Sequence, residues 1–372
     1  MTTSGRAVVS EGGRLSVTDV EVRDPRPGEV LVEMRASGVC HTDHDLMQVP
    51  LALVLGHEGA GVVAAVGAGV GHVSVGDRVV LNWAMPCGAC FQCERGHAHL
   101  CERHSPVVAR ERTAPRAGTT LVDGRPVLCA FDLGTLATHT VVRAEAVQPL
   151  GGVIPSTSAA ILGCGVMTGV GSVVNVARVP AGAAVVVIGC GGVGLSIVQG
   201  ARIVGADPIV AVDRHGERLE LARRLGASTV ITPAADDDDL EGVARQVRQM
   251  TGGRGADYAF ESTGVPALAA SPLRVIRHGG MALQVSGTEQ TIAVDMRLFE
   301  FDKTYVNPLY GHCNPERDIP RLVALYEQGD LLLDEMVTDV YPLDEVQRAF
   351  DDMLAGRGAK RVVVFGEDGG RW

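Results

Sequence analysis

The apolar run Ala184-Val185-Val186-Val187-Ile188, followed at once by Gly189-Cys190-Gly191-Gly192-Val193-Gly194, narrows the fold more than any other stretch of this chain. Five unbroken apolar residues suit a strand buried on both faces, the habit of parallel sheets covered by helices. Gly189, Gly191 and Gly194 keep G-x-G-x-x-G spacing between that strand and residues 193–204, which read as a helix. Such a loop turns sharply. It also brings backbone N–H groups and the positive end of a helix up to a pyrophosphate. A plain tight turn would tolerate the same glycines. The strand before and the helix after favour a dinucleotide site over Gly189, Gly191, Gly192, Val193 and Gly194.

The alternation continues downstream. Strands are expected at 208–213, 228–231, 258–261 and 281–285, with a helix over 217–225. Strands alternating with helices give an α/β, doubly wound parallel sheet. Asp213 ends the second strand, 24 residues after Gly189. A carboxylate there accepts hydrogen bonds from ribose hydroxyls and repels a 2′-phosphate, which favours NAD; Arg214 softens that preference. The run Asp236-Asp237-Asp238-Asp239 reads as a solvated loop or a helix N-terminus.

The first 155 residues have a different texture. Short runs at 28–34, 61–67 and 77–81 lie between glycine and proline turns, as in small β-barrels. Within this region Cys87, Cys90, Cys93 and Cys101 follow C-x2-C-x2-C-x7-C spacing. Four thiolates so spaced close a tetrahedral shell around zinc and leave no position open for chemistry. Four thiolates also hold iron–sulfur clusters. Disulfide pairing is disfavoured because the start of the sequence carries no apolar secretory segment. Structural zinc is the expectation. The polar, basic stretch 105–127 reads as a loop leaving this lobe.

At 372 residues the chain exceeds what one core usually organises, so two domains are expected. A net charge of −11 opposes binding to a phosphate backbone, and nucleic acid is not an expected partner. No apolar stretch reaches membrane-spanning length, so no membrane is expected either. Free thiols without a secretory segment place the expected protein in the cytoplasm.

Three separated pieces carry further metal-type ligands: Gly38-Val39-Cys40-His41-Thr42-Asp43, Gly56-His57-Glu58-Gly59 and Leu162-Gly163-Cys164-Gly165. Two cysteines and a histidine make the ligand set of an open, catalytic zinc site. Separation in sequence alone does not distinguish such ligands from ordinary buried cysteines. Together with the cysteine lobe and the glycine loop, in this order over nearly the whole chain, these pieces resemble the zinc-containing medium-chain alcohol dehydrogenase family. The resemblance implies a β-rich, GroES-like catalytic domain over 1–165 and 306–372, split around a Rossmann domain over 166–305. It also implies Zn(II), two ions per chain, and NAD. A small-molecule alcohol or aldehyde would be the substrate, and the assembly a homodimer or homotetramer joined through the Rossmann part.

Carried over position by position, Cys40, His57 and Cys164 match the catalytic zinc ligands. Glu58 matches a carboxylate behind the metal that transiently coordinates it, and Asp43 matches a partner that orients His57. Thr42 matches the hydroxyl that relays the alcohol's proton. His41 and Lys360 match contacts to the cofactor pyrophosphate, with Arg361 as a substitute for the latter. Thr168 and Val193 match residues flanking the nicotinamide. Trp83 aligns with a pocket-lining aromatic, and a core tryptophan is the alternative. The implied activity is reversible hydride transfer between a primary or aromatic alcohol and NAD.

The chain departs from the family pattern three residues after Thr42, where Asp45 stands, with His44 just before it. Segments such as Leu81-Asn82-Trp83 and Leu309-Tyr310-Gly311 resemble a branch that also holds S-(hydroxymethyl)mycothiol dehydrogenases. Oxidation of a formaldehyde–thiol adduct is therefore a second expectation, with Arg110, Arg112 and Arg116 as basic candidates. A non-catalytic nucleotide-binding protein is the reading of another class, and the complete open ligand set opposes it.

Overall fold

The computed structural model describes residues 2–109, 118–288, 290–366, 370 and 372. The chain packs into two compact units, Met1–Cys164 with Cys313–Trp372, and Gly165–His312. The sequence reading sets the divisions at 165/166 and 305/306; here they fall at 164/165 and 312/313.

The first unit is built from β-structure. A closed barrel joins Thr2–Glu11, Arg14–Arg23, Thr120–Val122, Arg125–Cys129 and Leu53–Val54. Its filling is aliphatic, with Ala7, Val9, Val20, Val22 and Val54 among the buried residues. A seven-stranded sheet centres on Glu29–Val39, which pairs antiparallel with Glu58–Val66 and with Lys360–Val364. That strand ends immediately before Cys40.

Residues 118–127 are not a loop: Thr120–Val122 and Arg125–Cys129 form a hairpin with Thr120 opposite Val127 and Val122 opposite Arg125. The connection is Asp123-Gly124, both residues with positive φ (48° and 73°), a two-residue turn whose twist matches the strands. The D-G pair carries a signal that periodicity over this polar stretch lacks. Arg110, Arg112 and Arg116 lie outside the described residues.

The second unit holds a six-stranded parallel sheet. Its order is Thr229–Ile231, Ile209–Val212, Val185–Ile188, Ala256–Glu261, Ile276–Gln284 and Thr304–Val306. Strand order reverses beside Val185–Ile188, where such sheets open a ligand crevice at their carboxyl ends. That strand is buried throughout, as its apolar run requires. Helices Gly192–Ile203 and Gly216–Leu225 follow the first two strands of the alternation. The helix Glu241–Met250 follows the acidic run, which the sequence reading takes as a solvated loop or a helix N-terminus. Asp237, from the acidic run, supports its start by accepting from the N–H groups of Gly242 (2.9 Å) and Val243 (3.1 Å).

Asp257 accepts from Ala184 N at 2.8 Å and from Arg277 Nε at 2.6 Å, tying three strand ends together. Lys303 donates to Leu273 O at 2.6 Å. Of the 33 basic residues in the chain, only Lys303 and Lys360 are lysines. Among the described residues no single helix is long and apolar enough to cross a membrane.

Candidate active site

In the first unit, three turns converge on one point. Cys40 leaves its strand in an extended conformation and opens the short helix His41–Leu46. His57 leads into the neighbouring strand, Glu58–Val66, after Gly56, whose φ is +97° and whose Cβ, were there one, would lie 2.3 Å from Leu136 N. Only glycine satisfies both constraints. Cys164 follows the turn Ile161–Gly163, pressed so close to Leu81 that a Cβ at Gly163 would meet Leu81 O at 2.1 Å. Ligand atoms of Cys40, His57, Glu58 and Cys164 all lie within 4.8 Å of one another.

The surroundings orient these groups. Asp43, fully buried, accepts from His57 Nδ1 at 2.9 Å and from Gly56 N at 3.0 Å. This leaves Nε2 of His57 as the nitrogen a metal could use. A hydrogen bond from Cys164 favours the Cys40 thiolate, helped by the charge on His57, and holds Cys40 well below the usual thiol range. The same pairing, together with burial, pushes Cys164 up. Burial opposes charge on His57, but Asp43 and Cys40 outweigh it and raise its pKa. Burial lifts Glu58 to about 7 against the pull of Lys360. Two sulfurs and an imidazole nitrogen are the donors that a borderline-soft dication such as zinc prefers. Glu58 Oε1 is buried and has no hydrogen-bond partner among the described residues. The donor set and this orphaned oxygen fit a metal.

The remaining predicted residues of this unit fall as follows. Thr42 is exposed, with Oγ1 3.8 Å from Cys40 Sγ, and His41 is exposed beside it. His44 lies 3.7 Å from Asp45. Lys360, matched by resemblance to a cofactor phosphate, is buried: its Nζ sits 2.5 Å from Glu58 Oε2 and donates to Val39 O at 3.3 Å. Phe131 escaped the sequence reading. Its ring centroid is 4.7 Å from that of His57 and 5.5 Å from that of Trp83. It holds φ of +54°, rare for a bulky side chain, and no periodicity marks it.

Cys87, Cys90, Cys93 and Cys101 form a second group, their sulfurs likewise within 4.8 Å of one another. Backbone N–H groups point at these sulfurs: Cys87 and His104 donate to Cys101 at 3.4 and 3.3 Å, and Glu102 donates to Cys90 at 3.4 Å. Burial opposes the Cys90 thiolate, but the N–H groups of Cys93 and Glu102 outweigh it and bring Cys90 down to about 6. Four sulfurs with no fifth donor grouped with them among the described residues make a closed shell.

In the second unit, the glycine loop has the shape its motif requires. Gly189 has φ of +92°, and a Cβ at Gly194 would lie 1.8 Å from Gly189 O. Among the described residues nothing lies within 4 Å of a Cβ position at Gly191, so a phosphate can approach the backbone. Asp213 stands beside the loop and accepts from Cys190 N at 2.7 Å and His215 N at 2.8 Å. Arg214 is exposed, 3.9 Å from Asp238. Thr168 belongs to the buried helix Gly165–Gly171, which packs on Val193 and Ser196 through Gly169.

Two family models cover most of the chain: the alcohol dehydrogenase GroES-like domain over residues 26–155, and the zinc-binding dehydrogenase over residues 192–328. Alcohol dehydrogenase class-3 of Cereibacter sphaeroides is 31% identical over 98% of this chain and 100% of its own length. S-(hydroxymethyl)glutathione dehydrogenase of Paracoccus denitrificans is 32% identical over 96% of this chain and 99% of its own. The crystal structure of benzyl alcohol dehydrogenase from Acinetobacter calcoaceticus superposes with a TM-score of 0.87 at 30% identity, covering 98% of this chain and 100% of that one. Likeness of that extent, spanning both the ligand-bearing unit and the glycine-loop unit, makes the chain a member of the zinc-containing medium-chain alcohol dehydrogenase family, an oxidoreductase that works with zinc and NAD.

Proposed function

We propose that the protein transfers hydride reversibly between a primary alcohol carrying an aromatic group and NAD. The carrying observation is the Phe131 ring beside the His57 ring, with the buried Trp83 packed against Phe131. The likeness to a benzyl alcohol dehydrogenase supports the same reading. In this reading Cys40, His57 and Cys164 hold the catalytic zinc, and Cys87, Cys90, Cys93 and Cys101 the structural one. Zinc in the open shell lowers the pKa of a hydroxyl, and NAD takes up the hydride. Asp43 fixes the His57 tautomer, and Thr42 passes the alcohol's proton toward solvent. The glycine loop receives the pyrophosphate, Asp213 the ribose hydroxyls, and Thr168 and Val193 flank the nicotinamide. His41 keeps its expected role as a pyrophosphate contact, and Lys360 is reassigned to Glu58. A cytoplasmic homodimer or homotetramer completes the proposal.

The S-(hydroxymethyl)glutathione dehydrogenase relative supports a second reading, oxidation of a formaldehyde–thiol adduct. One experiment separates the two. Purified protein is assayed with NAD and NADP against benzyl alcohol, hexanol and formaldehyde, with and without low-molecular-weight thiols. NADH formation from benzyl alcohol without thiol is expected. Turnover of formaldehyde only when thiol is added, with benzyl alcohol inert, would establish the second reading and overturn the first.

A further inference from the structure

Glu58 and Lys360 sit on strands that never pair with each other. Each pairs with Glu29–Val39, where Gly38 lies opposite Glu58 in one register and opposite Val362 in the other. Two interstrand spacings, about 9–10 Å, separate such strands. Yet the ammonium and the carboxylate meet at 2.5 Å. Residues directly opposite in antiparallel pairs share a face, and every second residue returns to it. Glu58, Gly38 and Lys360 therefore occupy one face, and the ion pair crosses the sheet over Gly38.

Position 38 is glycine for reasons of space. Its φ is not in the left-handed region, so the backbone does not demand glycine. A Cβ there would lie 2.1 Å from Glu58 Oε2 and 3.1 Å from Glu58 Cβ and Cδ. All three nearest atoms belong to the Glu58 side chain, so a methyl group would displace the carboxylate while sparing the backbone. Lys360 would then keep a buried, unpaired positive charge beside Val39 O, one residue from Cys40.

We propose that Gly38 is a positioning residue: its missing side chain is the passage through which Lys360 holds Glu58, and this bridge governs how firmly the Cys40–His57–Cys164 shell retains its metal. The inference rests on those three residues being the catalytic ligands. A displaced Glu58 removes negative charge from behind the metal, and the orphaned ammonium repels a dication.

The test uses zinc-loaded enzyme and a colorimetric chelator, following the two zinc populations separately, alongside thermal melting. Gly38→Ala is expected to release the catalytic zinc at least about tenfold faster, comparable to losing a group that supports a metal ligand. Release of the structural zinc is expected to stay unchanged. Adding Lys360→Met should bring the rate back toward wild type, which general damage to the sheet would not allow. If Gly38→Ala does not fold, Gly38→Ala/Glu58→Ala removes the atoms the methyl group meets. That variant should fold and still release zinc fast until Lys360→Met is added. Wild-type release rates in the folded variant, or loss that Lys360→Met fails to repair, would overturn the proposal. Wild-type protein holding zinc only at the four-cysteine shell would instead refute the ligand reading on which it stands.

Discussion

His57 donates from Nδ1 to Asp43 Oδ1 at 2.9 Å, and both side chains are closed to solvent. The carboxylate can only accept, so a proton sits on Nδ1, and Nε2 is the nitrogen left to bind a metal once any proton on it is lost. Asp43→Asn removes the charge and scrambles this preference. We expect zinc affinity at the Cys40–His57–Cys164 shell to fall roughly 10–100-fold, with turnover falling alongside. Chelator competition checks it, and an affinity equal to wild type would refute the orienting role of Asp43.

The four-cysteine shell makes a different prediction. Cys101 is fully buried and its sulfur receives N–H groups from Cys87 and His104. Cys101→Ala should abolish zinc binding there and lower the melting temperature of the protein, since structural zinc contributes directly to folding free energy. At a temperature where the variant stays folded, zinc at Cys40, His57 and Cys164 should remain. Metal analysis showing both zincs retained would contradict this.

Phe131 should affect selectivity more than chemistry. Truncation to alanine removes one wall of the aromatic surface beside His57 and costs about 1 kcal/mol of aromatic contact. The preference for benzyl alcohol over a short aliphatic alcohol should therefore fall roughly fivefold in kcat/KM. An unchanged ratio would mean that the ring is packing alone.

Asp257 gives a pH signature unrelated to catalysis. Burial opposes its ionisation, but the hydrogen bonds from Arg277 and Ala184 outweigh it and hold the carboxyl below its ordinary range. A depressed folded-state pKa contributes stability above the unfolded-state value, and that stability is lost as pH falls through the folded one. Asp257→Asn should thus cost about 1 kcal/mol near pH 7, with the gap from wild type closing in acid, below the ordinary carboxylate range. Melting curves at neutral and acidic pH check it; a gap of equal size at both would be wrong for this mechanism.

Much of the second unit was legible because its signals are local. The apolar strand at Val185–Ile188 and the glycine spacing need only neighbours in sequence to be interpreted. The helix Glu241–Met250 was harder to read, since its supporting residue Asp237 hides in a run of four aspartates. In the first unit, Cys40, His57 and Cys164 were visible as residue types and by resemblance. Their convergence depends on three turns that no short-range pattern encodes. Phe131 and the span from Glu58 to Lys360 were invisible for the same reason: each depends on contacts between residues far apart in sequence. The hairpin at Asp123-Gly124 was readable from its turn residues, but the polar stretch around it drew the reading toward a loop.

The two lysines have a chemical consequence. Side-chain amines are the groups that condense with carbonyl compounds to form Schiff bases. Here one amine is bonded to Leu273 O and the other is shut in beside Glu58, while every other basic side chain of the 33 ends in a guanidinium. An enzyme whose product is a carbonyl compound thus keeps its own reactive side-chain nucleophiles of this kind occupied, and its solubilising positive charge resides on a group that stays protonated.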